Sequence, residues 1–228
     1  MKNYLSSFHS LTKFERGLWL TSVAVTLLSF FLSGGKDFLN LIASLIGVTA
    51  LIFVAKGYVL GQLLTVVFAL FYGIISFYFK YYGELITYVF MTAPMAIAAT
   101  ISWIKNPYKD SQEVKVNSVT KKQLLIMSLL ALLVTALFYF ILHALGTTNL
   151  LISTISITTS FVASYLTFLR SPYYALGYSA NDIVLIIMWI LASVKNISYL
   201  PMVACFVMFL ANDLYGFYNW QRMKKRQE

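Results

Sequence analysis

The chain has 228 residues, of which 60% are hydrophobic and 11% charged, with a mean hydropathy of +0.77 and a formal charge of +9. This balance excludes an ordinary water-soluble domain, and apolar runs such as 129–134, which do not alternate, exclude a β-barrel. The basic residues are scattered over several loops with no dedicated domain, so the charge points to the anionic headgroups of a lipid bilayer and to no nucleic acid.

A helix crosses a bilayer with about 20 mostly apolar residues. Eight windows qualify: 18–33, 38–55, 58–79, 85–104, 124–145, 150–169, 174–194 and 199–220. Irregular backbone finds no hydrogen-bond partner in lipid, so each window is expected to be a helix, giving an all-α polytopic membrane protein. The first follows Lys13, Glu15 and Arg16 as a signal peptide would, but no small-residue cleavage site follows it, which predicts a retained helix.

The next three windows are aromatic and lightly polar. Gln62, Thr65, Tyr72 and Ser76 track one face of the window 58–79, and Tyr88, Met91 and Met95 one face of 85–104. Glu84, beside Tyr81 and Tyr82, stands where a helix N-terminus favours a carboxylate. Pro94 in mid-span withholds a donor and permits a kink. A charged loop follows, with Lys105, Lys109, Lys115, Lys121 and Lys122 against Asp110 and Glu113.

The later windows hold the ionisable residues, which are costly in a membrane and therefore functional candidates. Tyr178, Asn181, Asp182, Leu185 and Trp189 share one face of 174–194. That face suits a flat polar ring with sugar hydroxyls; the alternative is that Asn181 and Asp182 bond neighbouring helices. In the last window Asn212 and Tyr215 are expected to turn toward this stripe, while Asp213 is open to an ion pair with Arg222 or Lys225 as well as to a ligand. Trp103 and Trp220 are expected as interfacial anchors. Cys205 stands alone, and His9 and His143 lack partners at metal-ligand spacing, so neither a disulfide, a metal nor another cofactor is expected. No phosphate-binding glycine loop is present, and the chain is not expected to be an enzyme.

With eight spans and a cytoplasmic N-terminus, 14 Lys and Arg fall inside and only Lys36, Lys80 and Lys195 outside, the sense that the positive-inside rule requires. Both ends are therefore expected in the cytoplasm, as a multi-pass protein of a bacterial cytoplasmic membrane. A weak internal repeat aligns 39–105 with 150–222, through Tyr58-Val59-Leu60-Gly61 opposite Tyr174-Ala175-Leu176-Gly177 and Trp103 opposite Trp220. Two like-oriented trios need one crossing between them, which 124–145 supplies, while 18–33 falls outside the repeat. The expected division is 1–36 with an extra helix, 37–105 as first bundle, 106–148 as loop and linker helix, 149–222 as second bundle, and 223–228 as a basic tail.

Several motifs carry a family likeness: Tyr81-Tyr82-Gly83-Glu84, Ser171-Pro172-Tyr173-Tyr174-Ala175, Ala180-Asn181-Asp182-Ile183-Val184-Leu185, Asn212-Asp213-Leu214-Tyr215-Gly216-Phe217 and Asn219-Trp220-Gln221-Arg222-Met223. Over nearly its whole length the chain resembles the Pnu vitamin transporters, in the PnuC-type, nicotinamide riboside-carrying form of Gram-positive bacteria. The resemblance implies a SWEET-like arrangement of three, one and three helices and facilitated diffusion with alternating access. It also implies a role in NAD biosynthesis, with trapping of the substrate by a cytoplasmic kinase.

Asn212 and Tyr215 match the family's NxxY pattern. The WxxW pair of nicotinamide riboside carriers is absent: Asp182 and Leu185 stand near those places and only Trp189 remains, and Tyr88 stands where some members have a glutamine. Thiamine, riboflavin or a deoxynucleoside therefore stay open as substrates, a membrane-embedded ligand sensor stays open as a rival, and so does a homo-oligomer. The expected substrate site comprises Gln62, Tyr88, Asn181, Asp182, Trp189, Asn212 and Tyr215. Tyr88 and Trp189 would sandwich the base, Gln62, Asn181 and Asn212 would bind amide and ribose, and Asp182 would complement a pyridinium or accept from sugar hydroxyls.

Overall fold

The computed structural model describes residues 6–36, 38–78, 82–147, 149–195, 197 and 200–228. After a short turn of helix, α1 (Ser6–His9), come α2 (Lys13–Leu32), α3 (Phe38–Ala55), α4 (Val59–Tyr78) and α5 (Tyr82–Ile86). A π-helical turn (Thr87–Thr92) runs into α6 (Ala93–Lys105), and α7 (Lys121–Ala144), α8 (Leu150–Phe168), α9 (Tyr174–Lys195) and α10 (Leu200–Gln227) follow. Eight helices among the described residues are long and apolar enough to cross a membrane, as the windows anticipated.

Local chemistry explains where the helices begin and bend. α2 starts five residues before its apolar window because Thr12 accepts from Glu15 N while the Glu15 carboxylate accepts from Thr12 N, a capping box. Thr120 and Gln123 cap α7 in the same way. Pro94 has no N–H to return to the preceding turn, and the π-helical turn lies directly before α6, so the fourth span is widened there.

Six helices form a closed ring in the order α3, α4, α6, α8, α9, α10, with α10 packed back on α3. Gly61 presses α4 onto the α3 backbone, and Gly177 presses α9 onto Ala163 of α8; an added Cβ would collide at either place. α3 ends on Gly57 (φ 68) with Tyr58 N bonded to Phe53 O, and α8 ends on Arg170 (φ 59) with Ser171 N bonded to Leu166 O. A left-handed arginine costs about 1–2 kcal/mol. Its side chain offsets this by donating to Ser102 Oγ at 2.8 Å and to Lys115 O at 3.1 Å, and partial burial draws its pKa below the usual value.

α2 lies outside the ring against α3 and α10, at the seam between the trios. α7 lies at the opposite seam, its Ala131, Phe138 and Leu142 packed with Met91 of the π turn and Ile157 and Phe161 of α8. α2 is thus the positional counterpart of α7: each trio is preceded by a helix that covers one seam.

Candidate functional site

The ends of the ring are unlike. The helix ends at Lys56, Lys105 and Arg170 gather with the tail of α10 on one face, here called the basic face, and that face is closed. Trp103 and Trp220 are fully buried and meet with ring centroids 5.3 Å apart. Trp103 Nε1 donates to Thr167 O at the end of α8, and Trp220 Nε1 to Val54 O at the end of α3, both at 2.9 Å. Each trio thereby ties its last helix to the first helix of the other. This corrects the reading of these residues as interfacial anchors: their indole N–H groups face protein carbonyls.

Residues 106–119 run as a strap beneath the pair. Val114 N bonds to Gly57 O, Lys115 N to Asn106 O and Asn117 N to Arg170 O at 2.8–3.0 Å, while the Gln227 amide bonds Val116 N and Val114 O. Arg226 pairs with Glu113, and the Val114 side chain packs under the two tryptophans with Met223 and Tyr174. Beside the strap a cleft of about 490 Å³ is lined by Glu15, Lys56, Tyr215, Asn219 and Arg222.

The expected site residues divide between opposite sides of the ring. On α4 and the π turn, Tyr88 packs on Tyr72 at 4.5 Å and on Phe68 at 5.8 Å, and Gln62 is buried one residue past the close contact at Gly61. On α9 across the ring, the Asn181 Oδ1 accepts from Ser156 Oγ at 2.9 Å and Thr159 Oγ1 at 3.0 Å. That pairing orients the half-buried amide and leaves Nδ2 with no bond to a described residue. Trp189 is half-buried farther along the same helix.

Asn212 and Tyr215 turn elsewhere than expected. Asn212 Nδ2 donates to Ser22 Oγ of α2 at 2.8 Å, and the Tyr215 hydroxyl donates to Glu15 at 2.7 Å. Glu15 also holds Lys56 at 2.9 Å, so one buried carboxylate of α2 joins α3 to α10. Asp182 faces Asp213 across the α9–α10 contact, and Asp213 has no ion pair with Arg222 or Lys225 among the described residues. The side chains of Glu84 and Tyr82, and Tyr81 altogether, lie outside the described residues. The buried polar stripe of α2, Glu15, Ser22, Thr26 and Ser29, went unread in the sequence, although its spacing of seven, four and three residues was visible.

The model of the nicotinamide mononucleotide transporter family matches residues 37–222. The chain is similar to the nicotinamide riboside transporter PnuC of Neisseria mucosa, 29% identical over 223 residues, covering 92% of this chain and 84% of that protein. It is 21% identical over 211 residues to the nicotinamide riboside transporter PnuC of Haemophilus influenzae, covering 92% of this chain and 90% of that one. A crystal structure of the vitamin B3 transporter PnuC matches with a TM-score of 0.79 at 26% identity, over 96% of this chain and 95% of that chain.

Proposed function

Because the chain belongs to the nicotinamide mononucleotide transporter family, and is thus a multi-pass membrane transporter and not an enzyme, we propose that its substrate is nicotinamide riboside. The observation that carries this reading is the match of 92% of the chain to a protein named for that substrate. The riboside moves by facilitated diffusion, with rocking of the two trios alternating access to a site between them. The basic face lies in the cytoplasm, as the positive-inside rule demands, with both ends of the chain on that side. Phosphorylation by a cytoplasmic kinase then traps the substrate.

In this reading the bundles are 37–105 and 149–222, preceded by 1–36 and 106–148 and followed by the tail 223–228. The ring of Tyr88 and the indole of Trp189 stack on the pyridine, which aromatic faces favour for a cationic ring. The free Nδ2 of Asn181 and the amide of Gln62 bind the carboxamide and ribose. Asp182 supplies negative charge on the same helix. Asn212 and Tyr215 serve the site through α2 in the closed arrangement and reach the substrate once α10 moves.

Uptake of labelled nicotinamide riboside into proteoliposomes tests this. Asn181→Ala and Trp189→Ala are each expected to lower uptake about tenfold, the cost of one good polar or stacking contact. Unchanged uptake in both removes these residues from the site, and faster uptake of thiamine, riboflavin or a deoxynucleoside reassigns the substrate.

A further inference from the structure

Of the two acids between α9 and α10, only Asp182 enters the substrate reading, and that reading leaves Asp213 and the pairing of the two unexplained. Asp182 and Asp213 are 5% and 4% exposed, and their carboxyl groups lie within hydrogen-bonding reach of each other. Among the described residues neither is ion-paired to Lys, Arg or His. Two carboxylates offer only acceptors, so a hydrogen bond between them requires a proton on one. Without that proton, two like charges would meet where little water screens them.

The surrounding groups are poised for a second arrangement. The Tyr174 hydroxyl is fully buried, close enough to Asp213 to feel its charge, and finds no hydrogen-bond partner among the described residues. Ser179 Oγ, one turn before Asp182, and Asp182 Oδ2 likewise have no hydrogen-bond partner among the described residues. Tyr178, the other titratable side chain facing the acids, is engaged with Ser164 at 3.0 Å. From the other packed helices come uncharged groups, Ser164 and Thr167 of α8 and Ala55 of α3.

With the proton present, the carboxyls bond each other and the Tyr174 hydroxyl is left over. Once the proton leaves, Asp213 is a full acceptor and Tyr174 a donor without one. The Tyr174 hydroxyl lies against Gly216 of α10, where an added Cβ would sit 2.8 Å from its oxygen. Its ring also packs edge-on at 5.0 Å against Trp220, the indole that meets Trp103. Loss of the proton therefore pulls on the ring pair that shuts the basic face.

We infer that Asp182 and Asp213 form a proton-binding site, filled by one proton while the basic face is closed and emptied to that same face as it opens. The proton returns to the side it left, so the substrate still runs down its own gradient while the proton sets the rate of opening. The role in opening rests on the transport reading; the site itself does not.

Asp213→Asn tests both. An amide in place of the second carboxyl keeps the hydrogen bond and the net charge of the proton-filled pair and cannot be emptied. Infrared spectra of the purified protein are expected to contain a protonated-carboxyl stretch that Asp213→Asn lacks. Its absence from the wild type, or its full persistence in the variant, overturns the site. In counterflow of nicotinamide riboside, the wild type is expected to speed up roughly threefold as the pH is raised. Asp213→Asn should stay at the slow rate with unchanged KM. A variant that follows the wild-type profile overturns the link to opening, uphill accumulation driven by a proton gradient overturns one-sided exchange, and a response to sodium in place of pH overturns the proton as ligand. No counterflow at any pH sinks the substrate reading, and the infrared band still decides the site.

Discussion

The two seams of the ring are covered by helices of opposite chemistry. Against the α3–α10 seam, α2 buries only polar side chains, Glu15, Ser22, Thr26 and Ser29, and turns Phe14, Leu20, Leu28 and Phe31 outward. Against the α6–α8 seam, α7 buries Ala131, Phe138 and Leu142 and, among the described residues, contributes one polar contact, Thr135 to Thr158 at 2.7 Å. In lipid there is no hydrophobic drive between helices, so α7 is held by shape and α2 by hydrogen bonds. A seam held by shape resists small displacements, while one held by a few polar pairs exchanges partners discretely. In the proposed alternating access, the α2 seam is therefore the one suited to rearrange and the α7 seam the one suited to act as hinge.

Substitutions at the two seams would break or sharpen this contrast. The largest effect is expected from Lys56→Met, which strands the Glu15 carboxylate in a buried place and should cost about 3–5 kcal/mol in thermal unfolding of the detergent-solubilised protein. Adding Glu15→Gln should recover most of it; no recovery would mean that the pair is incidental to the seam. On α7, Phe138→Ala leaves a cavity and should cost about 3 kcal/mol with little change in substrate KM. Ser22→Ala strips the Asn212 amide of its partner on α2, an expected loss of about 1–2 kcal/mol, and should alter the counterflow rate more than Phe138→Ala does. Thr135→Val should cost only about 0.6 kcal/mol, a typical membrane hydrogen bond. A cost above that of Ser22→Ala would erase the distinction between the seams.

The repeat shows how far a sequence can be read and where reading stops. The matched Trp103 and Trp220 were visible, and so was the pattern shared by Tyr58 and Tyr174, because like positions in a duplicated fold meet like surroundings. Their role was not, since an indole near a helix end looks the same whether it faces headgroups or the carbonyl of another trio. The capping boxes at Thr12 and Thr120 mark α2 and α7 as counterparts, yet the apolar windows alone hid this, for the first window began after the cap. Glu15 read as a flanking charge because its second partner, Tyr215, stands 200 residues away.

Number of crossings, helix limits and the sign of the charge bias are local properties: each depends on the length of an apolar run, a cap three residues long or the charge of a loop, and these the amino-acid order determined alone. Which neighbour a polar residue meets depends on how each helix is rotated about its axis, and that is set by packing against partners far along the chain. Only the tertiary structure could therefore turn Asp182 toward Asp213, direct Asn212 and Tyr215 to α2, and bring Trp103 and Trp220 together over Val114.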